Sequence, residues 1–577
     1  MMSKFFNFLI VWFFIVVTSG CNQQSQENGQ EVVQTQPEHV GYLRIPFNWP
    51  VTTIDPGLTK DLAHIEVVEQ LFLGLTDFDP KTYEVLPELA TGWEVSDDGM
   101  VYTFKLRQDV KWTRGEPVTA HDIVWAIRRN VAPKTNSPNA YTLYTLKNAE
   151  AIHRGKPVDV SGVYTLDDYG EPATKQSVDV QIPSDVLPLG VRAIDDYTVE
   201  FTLEHPAGYF PALASMWTYR PLPRHVIEQY GDDWTEPEYI QTNGSYVLAE
   251  WNKGSQLILK KNPYYYDAKS VNISEVHYYI VPESTLGLAM YEQNELDIIG
   301  GQVYLNLPPE DIPRIKQDPI LRKERQMSPH FCTEWYGFNT RRFPMDNPLV
   351  RKAISAAIDK QTLIDIVVQG NHLTATTFTR PPIFGSVDPS EEVGIQFNPK
   401  QAKAWLAEAG YPEGKGFPQV ILMYNFDETR SNIAKGIKTI LKHYLNIDIE
   451  VRALDYDRYL DIIYQPTTPH IFRMGWCADY PDANNWLHEV FHPDKGINWI
   501  GWKNQEFAEV VDKAQRISDQ MVRKQLYYRA EQILTEEEAA IIPLYFSSAQ
   551  FLVKPWVKGW YNMAFGGQHI RNWSLEN

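Results

Sequence analysis

The chain is short of cysteine, with three in 577 residues. After Val17 it has no second apolar run that could span a bilayer, which takes about 20 residues. The body beyond that point should therefore be soluble. Basic residues are also scarce: 53 Lys plus Arg stand against 73 Asp plus Glu, a net charge of −20 with no basic cluster. That balance argues against a nucleic-acid partner. Neither a G-x-S-x-G elbow nor a G-x-x-x-x-G-K-[ST] phosphate loop occurs, so serine-hydrolase and ATPase readings lack support. No cofactor is expected. No short-period repeat or low-complexity tract follows residue 38.

What is present begins at the N-terminus. Met1 to Lys4 carries one positive charge, Phe5 to Val17 is apolar except for Asn7, and Thr18-Ser19-Gly20 supplies small residues before Cys21. This order describes a secretory signal peptide over 1–20. A short uncleaved anchor is the alternative. Ser19-Gly20-Cys21 resembles a bacterial lipobox, whose cysteine is acylated, although Thr18 stands where Leu is usual. Residues 21–38 are rich in Gln, Asn, Ser and Glu and cannot bury enough surface to offset chain entropy, so they read as a solvated tether. With Cys21 assigned to the anchor, Cys332 and Cys477 remain. In an exported chain they form one disulfide or stay as two unpaired buried thiols. A bridge would close a 145-residue loop, about 5 kcal/mol in the chain-entropy model.

Length allows two to four domains. Most of the 17 Trp, 32 Tyr and 25 Phe will be core, but so many Trp and Tyr also suit a deep cleft lined with amphipathic rings. Val101–Leu106 and Tyr197–Leu203 alternate as strands. Thr119 and Asp122 form a capping box that opens a helix, Pro348 opens another, and Lys400–Gly410 is a helix closed by glycine. A continuous helical pattern runs from Phe507 to Glu538, followed by a strand at Ala540–Phe546. Residues 159–189 read as a surface insertion. The whole is a large α/β protein with several lobes.

A series of short segments carries a resemblance: Thr53-Ile-Asp-Pro56; Tyr102-Thr-Phe-Lys-Leu-Arg107 with Val110-Lys-Trp112, Gly115 and Pro117-Val-Thr-Ala-His-Asp122; Thr242-Asn-Gly-Ser-Tyr246; Asn262-Pro-Tyr264; Val350-Arg-Lys-Ala-Ile354 with Asp359; Ala407-Glu-Ala-Gly-Tyr411; Arg473-Met-Gly-Trp-Cys-Ala-Asp-Tyr480; and Val553-Lys-Pro-Trp-Val557. In this order, over Leu43 to Trp573, the chain resembles the oligopeptide-binding proteins of ABC importers, the peptide- and nickel-type (family 5) solute-binding proteins. The resemblance implies a two-lobed periplasmic-binding-protein fold (type II, cluster C-like) with an extra subdomain, mixed sheets flanked by helices, and a ligand cleft between the lobes. Lobe one would comprise 39–60, 222–331 and 548–577, the subdomain 61–221, and lobe two 332–547.

The resemblance also implies site residues. Asp479 would pair with the free α-amine of a short peptide, and the backbone of Gly475, Trp476 and Cys477 would pair with the peptide as an added strand. Cys332, in Ser328-Pro-His-Phe-Cys-Thr333, would be bonded to Cys477. Arg473 and Asn425 fall where relatives touch peptide, Arg430 near the peptide carboxylate, and Trp335, Val51 and Tyr545 would line the cleft. The chemistry fits a receptor that must accept many sequences, because strand addition reads the shared backbone and an aspartate reads the shared amine. Read without the family, Asp479 is a salt-bridge or turn residue. The expected partners are short peptides, an ABC permease with its ATPase subunits, and a membrane reached through the lipid anchor, for a monomer in the periplasm or on the outer face of the cytoplasmic membrane. Pro481-Asp-Ala-Asn-Asn485 departs from what usually follows the aspartate. Rival readings are a same-fold receptor for a metal chelate, haem, murein peptide or oligosaccharide, a peptide sensor without an importer, and a zinc peptidase.

The last rival rests on His488-Glu489-Val-Phe-His492, an H-E-x-x-H match. Pro493 follows directly and pushes His492 out of the α region, so the second imidazole should sit at a distorted helix end, with Glu506 or Glu509 as the available third ligand. No metal is expected.

Overall fold

The computed structural model describes residues 41–59, 61–155, 188–301, 303–368 and 372–576. The signal peptide, Cys21, the tether and the bulk of the 159–189 segment lie outside them.

Three sheets organise the described chain. One has the order Leu43–Phe47, Glu275–Ile280, Gln256–Lys261, Tyr246–Asn252, parallel at its first pair and antiparallel after it. A second, antiparallel, has Ala90–Val95, Val101–Leu106, Thr198–Thr202, Val191–Asp195. The third is mixed, with the order Ile298–Gly300, Ile541–Val553, Arg325–Phe338, Ile471–Cys477, Val420–Asn425, Ile449–Leu454. A single hydrophobic cluster runs through the first two sheets. The third has one cluster on each face, as a period of two requires: Phe331, Trp335, Met423 and Phe472 enter one, Tyr336, Phe338, Leu422 and Ile471 the other.

Local chemistry explains the element ends. Asp122 accepts the Thr119 backbone N–H at 2.8 Å and so closes the box that starts helix Ala120–Val131. Asp122→Ala should cost about 1 kcal/mol, readable as a small fall in the denaturant midpoint. Asn347 accepts from Leu349 N at the start of Pro348–Ala357. The long helical pattern from Phe507 is corrected to two helices, Gln505–Arg516 and Gln520–Gln532. Asp519 accepts from both Met521 N and Val522 N, and a new N-cap inside an unbroken apolar periodicity is what ends the first helix and starts the second. The final strand is longer than its apolar core suggests, reaching Val553.

The two longest strands, Arg325–Phe338 and Ile541–Val553, pair with one another. Their ladder joins Arg325–Pro329 to Leu552–Ser548 and Thr333–Gly337 to Phe546–Ile541, with a register shift between. Such an irregularity lets a two-stranded ribbon bend. A second junction brings the antiparallel sheet's neighbourhood against the helix pair 505–532. Gly208 donates to Gln515 O at 3.0 Å and accepts from Arg523 Nη1 at 3.2 Å. A Cβ there would lie 2.3 Å from Ile517 O, so the approach requires glycine.

Candidate functional site

Strand Ile471–Cys477 sits between two neighbours that treat it differently. Along Arg325–Phe338 it is paired throughout, Ile471 opposite Phe338 and Cys477 opposite Cys332. The Ala478 N–H donates to Phe331 O at 2.9 Å, which fixes the phase: backbone groups of Gly475 and Cys477 face the other way. On that far side Val420–Asn425 pairs only at Leu422–Ile471 and Met423–Phe472. The Arg473 carbonyl is taken by the Tyr459 hydroxyl. Beyond it, among the described residues, no strand covers the edge at Gly475 and Cys477. An uncovered edge is a template for an extended chain. The Cys332–Cys477 disulfide, with Cα atoms 4.0 Å apart, pins the outer end of this edge.

Two residues past the strand, Asp479 reaches a cavity of about 210 Å³. The walls include Leu62 and Ile65, Tyr141 and Trp217, Phe331, and Met563 to Gly566, so segments remote in sequence converge there. Asn485 holds the aspartate: its Oδ1 accepts the Asp479 N–H at 2.9 Å and its Nδ2 donates to Asp479 Oδ2 at 3.3 Å. Trp476 Nε1 donates to the same Oδ1 at 3.3 Å. Among the described residues no Lys, Arg or His pairs with Asp479. Asp479 stays open to solvent, but the surrounding protein displaces enough water to push its carboxyl above the usual range, against the Asn485 bond. Glu489 donates nothing to relieve this; it accepts from Asn485 Nδ2 at 2.7 Å and from Tyr480 OH at 2.5 Å, and burial pushes it up to about 7. Tyr141, from a distant segment, is half exposed, and partial loss of water with these two carboxylates pushes it up to about 12. A larger cavity of about 670 Å³ shares His330 and Ala549 with the first and is walled by Lys316, His372 and Ser547 to Gln550.

The structure gathers a second group of expected residues at the start of the same strand. Arg473 forks onto both oxygens of Glu334 and reaches Asn425 Oδ1 at 3.4 Å. Arg430, whose Nη1 lies 2.8 Å from Asp427, is close enough that its charge and that of Arg473 act on the Tyr545 phenol. Tyr545 is itself buried and stacked on His372 at 4.8 Å. Two expectations are corrected. Trp335 does not line the cleft: strand parity puts it on the Phe331 face, fully buried, edge-on to Phe378 at 5.6 Å and Phe491 at 5.4 Å. Val51 is 3% exposed and belongs to the core of the first sheet.

The H-E-x-x-H segment lies on helix Ala483–Phe491, with His492 as a non-helical C-cap, as its proline demands. His488 and His492 do meet an acid, but it is Asp512 and not Glu506 or Glu509, with Nε2–Oδ1 distances of 3.1 and 3.4 Å. His492 Nδ1 accepts the backbone N–H of Asp494 and Lys495, which leaves the proton on Nε2, the atom a metal would need bare. Lys495 already bonds both Asp512 oxygens. Glu489, the supposed base, points to Asn485 and Tyr480 instead. Asp512 is thus hydrogen-bonded to His488 and Lys495, with the His492 ring beside them.

Sequence reasoning missed Glu334, Asn485, Tyr141 and the role of Glu489. Asn485 lies in the departing segment after the aspartate and Glu489 was visible only as part of a protease-like motif. Tyr141 had no signal, since only the fold brings it near.

Comparison with known proteins gives one consistent picture. The profile of bacterial extracellular solute-binding proteins, family 5 (middle region) matches residues 84–498. The periplasmic oligopeptide-binding protein OppA of Salmonella typhimurium is 31% identical over 88% of each chain. A probable deoxycholate-binding periplasmic protein of Escherichia coli, YgiS, is 32% identical, again over 88% of each. Among solved structures, the periplasmic murein tripeptide-binding protein MppA in its unliganded open form superposes with a TM-score of 0.81 at 27% identity, over 93% of this chain and 97% of that one. Among the described residues no helix is long and apolar enough to cross a membrane.

Proposed function

The chain belongs to the bacterial extracellular solute-binding proteins of family 5, and on that footing we propose that it captures short peptides by their free α-amine and delivers them to an ABC permease. One observation carries the reading. Asp479 is a solvent-accessible carboxylate with no cationic partner among the described residues, lining a cavity at the end of an uncovered strand edge. Closing the lobes over Asp479 would strip the remaining water from a charge with no cation beside it, and a ligand ammonium would pair it. The peptide backbone would then lie along Gly475 to Cys477, with the group around Arg473, Asn425 and Arg430 further along the strand. Peptide binding by the Salmonella relative supports this assignment.

The cleft would close between a lobe of 39–60, 222–331 and 548–577 carrying the subdomain 61–221, and a lobe of 332–547, with the register shift of the two long strands as the hinge. The likeness to an unliganded open form supports reading the structure as the open member of that pair. An acylated Cys21 would hold the exported protein, a monomer, at the outer face of a membrane. The ATP would be consumed by the permease's ATPase subunits, and no catalysis is assigned to this chain.

The test is thermal unfolding of the protein with a pool of free peptides and with the same pool N-acetylated. A ligand at about 100 times its Kd adds about 2.7 kcal/mol to stability. Stabilisation by the free pool alone supports amine capture. Equal stabilisation keeps peptide binding and removes Asp479 from its role. No response to either pool sinks the peptide reading in favour of an amine-free ligand, the class to which the deoxycholate named for one relative belongs.

A further inference from the structure

The cavity of about 670 Å³ adjoins the one that Asp479 lines, with His330 and Ala549 in both walls. Among the described residues no carboxylate lines it, in a chain with a net charge of −20. Lys316, on helix Ile312–Gln317, is its charged wall residue. Two arginines stand behind the lining. Arg325 donates to Oε1 of the wall residue Gln550 at 2.8 and 3.0 Å. Arg380, only 3% exposed, donates to the backbone oxygen of the wall residue Ser547 at 3.1 Å. Among the described residues neither arginine pairs with a carboxylate. Burial lowers both, Arg380 to about 10, so each keeps its charge at neutral pH. A cation taken out of water with no anion beside it is costly. His372 adds a directed donor. Its Nδ1 accepts the Ser548 N–H at 3.0 Å and its ring stacks on Tyr545 at 4.8 Å, which fixes both tautomer and ring plane. The proton then sits on Nε2, and among the described residues nothing accepts it. Burial, with the Arg380 charge adding, lowers His330 and His372 to about 4, so both rings are neutral donors at physiological pH.

This cavity flanks the path proposed for the peptide. At one end His330 joins it to the Asp479 cavity; at the other His372 leans on Tyr545, the phenol on which the charges of Arg473 and Arg430 act. An extended chain turns successive side chains to opposite sides, so with its amine at Asp479 it presents its second or third side chain here. We propose that the cavity walled by Lys316 and His372 is a specificity pocket for an acidic side chain at the second or third residue of the bound peptide. The inference rests on the amine-capture reading above. A carboxylate there accepts from His372 Nε2 and Lys316 Nζ, directly or through water, and its charge offsets those of Arg325 and Arg380. The volume exceeds that of one side chain, which suits aspartate and glutamate alike with water filling the remainder.

Calorimetric titration of Ala-Glu-Ala-Ala and Ala-Ala-Glu-Ala, each beside its glutamine and lysine counterparts, tests it. One glutamate peptide should bind about tenfold more tightly than its glutamine counterpart, with the lysine peptide weakest of that set. Lys316→Met, at a half-buried position, should cut the ratio, and adding His372→Gln should bring it near one. Equal affinities for the glutamate and glutamine peptides in the unaltered protein overturn the proposal, as does a preference that survives the double substitution. The order glutamate, glutamine, lysine needs no variant and stands even if the double substitution fails to fold. Amidating the C-terminus of the glutamine peptides separates the other source of a carboxylate. A loss on amidation that Lys316→Met abolishes puts the peptide's C-terminus in this pocket and overturns the side-chain assignment. If none of the peptides binds, amine capture itself fails and takes this inference with it. Binding without discrimination removes this inference alone.

Discussion

Asp479→Asn should lower affinity for a free-amine tripeptide by at least about thirtyfold, the lower end of the 2–5 kcal/mol that truncating a buried charge pair costs. The substitution is nearly isosteric and keeps an oxygen to accept from Asn485 Nδ2, which now donates to Asp479 Oδ2 at 3.3 Å. What disappears is the charge, leaving a desolvated ammonium against a neutral amide. The unliganded protein should respond in the opposite direction. Partial loss of water pushes the Asp479 carboxyl above its ordinary range although the side chain stays open to solvent, so replacing it with a neutral amide should raise the unliganded Tm only slightly. Lost affinity together with a raised Tm is a signature that a folding defect cannot imitate. N-acetylated peptides, without an ammonium to lose, should not distinguish the two proteins. Unchanged affinity for the free tripeptide would return Asp479 to an ordinary turn residue.

Removing the disulfide is the second large effect. Cys332 and Cys477 face each other across the antiparallel pair, 145 residues apart in sequence. A bridge across so long a loop is worth about 5 kcal/mol in the chain-entropy model, and native bridges span about 2–5 kcal/mol in practice. Cys332→Ser with Cys477→Ser should move the chemical-denaturation midpoint of the lobe built on the mixed sheet by a corresponding amount, and reductant should do the same to the unaltered protein. Peptide affinity should fall as well, because the bridge anchors the outer end of the uncovered edge at Gly475 to Cys477. An unfolding profile indifferent to reductant would show that the ladder alone holds that end.

Much of the fold was legible in local chemistry. Strand Val101–Leu106 and helix Pro348–Ala357 form where alternation and proline place them, and the box at Thr119 and Asp122 closes as its spacing demands. The break at Asp519 was harder to see because apolar periodicity runs through it, and only the competing cap ends the helix. Trp335 shows a different limit. An aromatic on a strand of the site strand's neighbour looks like a wall residue, but parity decides the face, and parity depends on a register that only the paired partner sets.

The amino-acid order by itself determined the family, through short segments whose spacing over the whole body is hard to meet by chance. It also determined which chemistry was on offer: an aspartate after a glycine-containing strand, two cysteines, and an acidic surplus. Tertiary structure alone decided which of these groups are left without a cationic partner. Asp482 and Glu334 are carboxylates of the same kind as Asp479 and Glu489, yet the first two meet Arg523 and Arg473 and the others meet no cation among the described residues. Pairing is a matter of distance between segments far apart in the chain, and it is the unpaired, desolvated charge that makes a carboxylate a candidate to wait for a ligand.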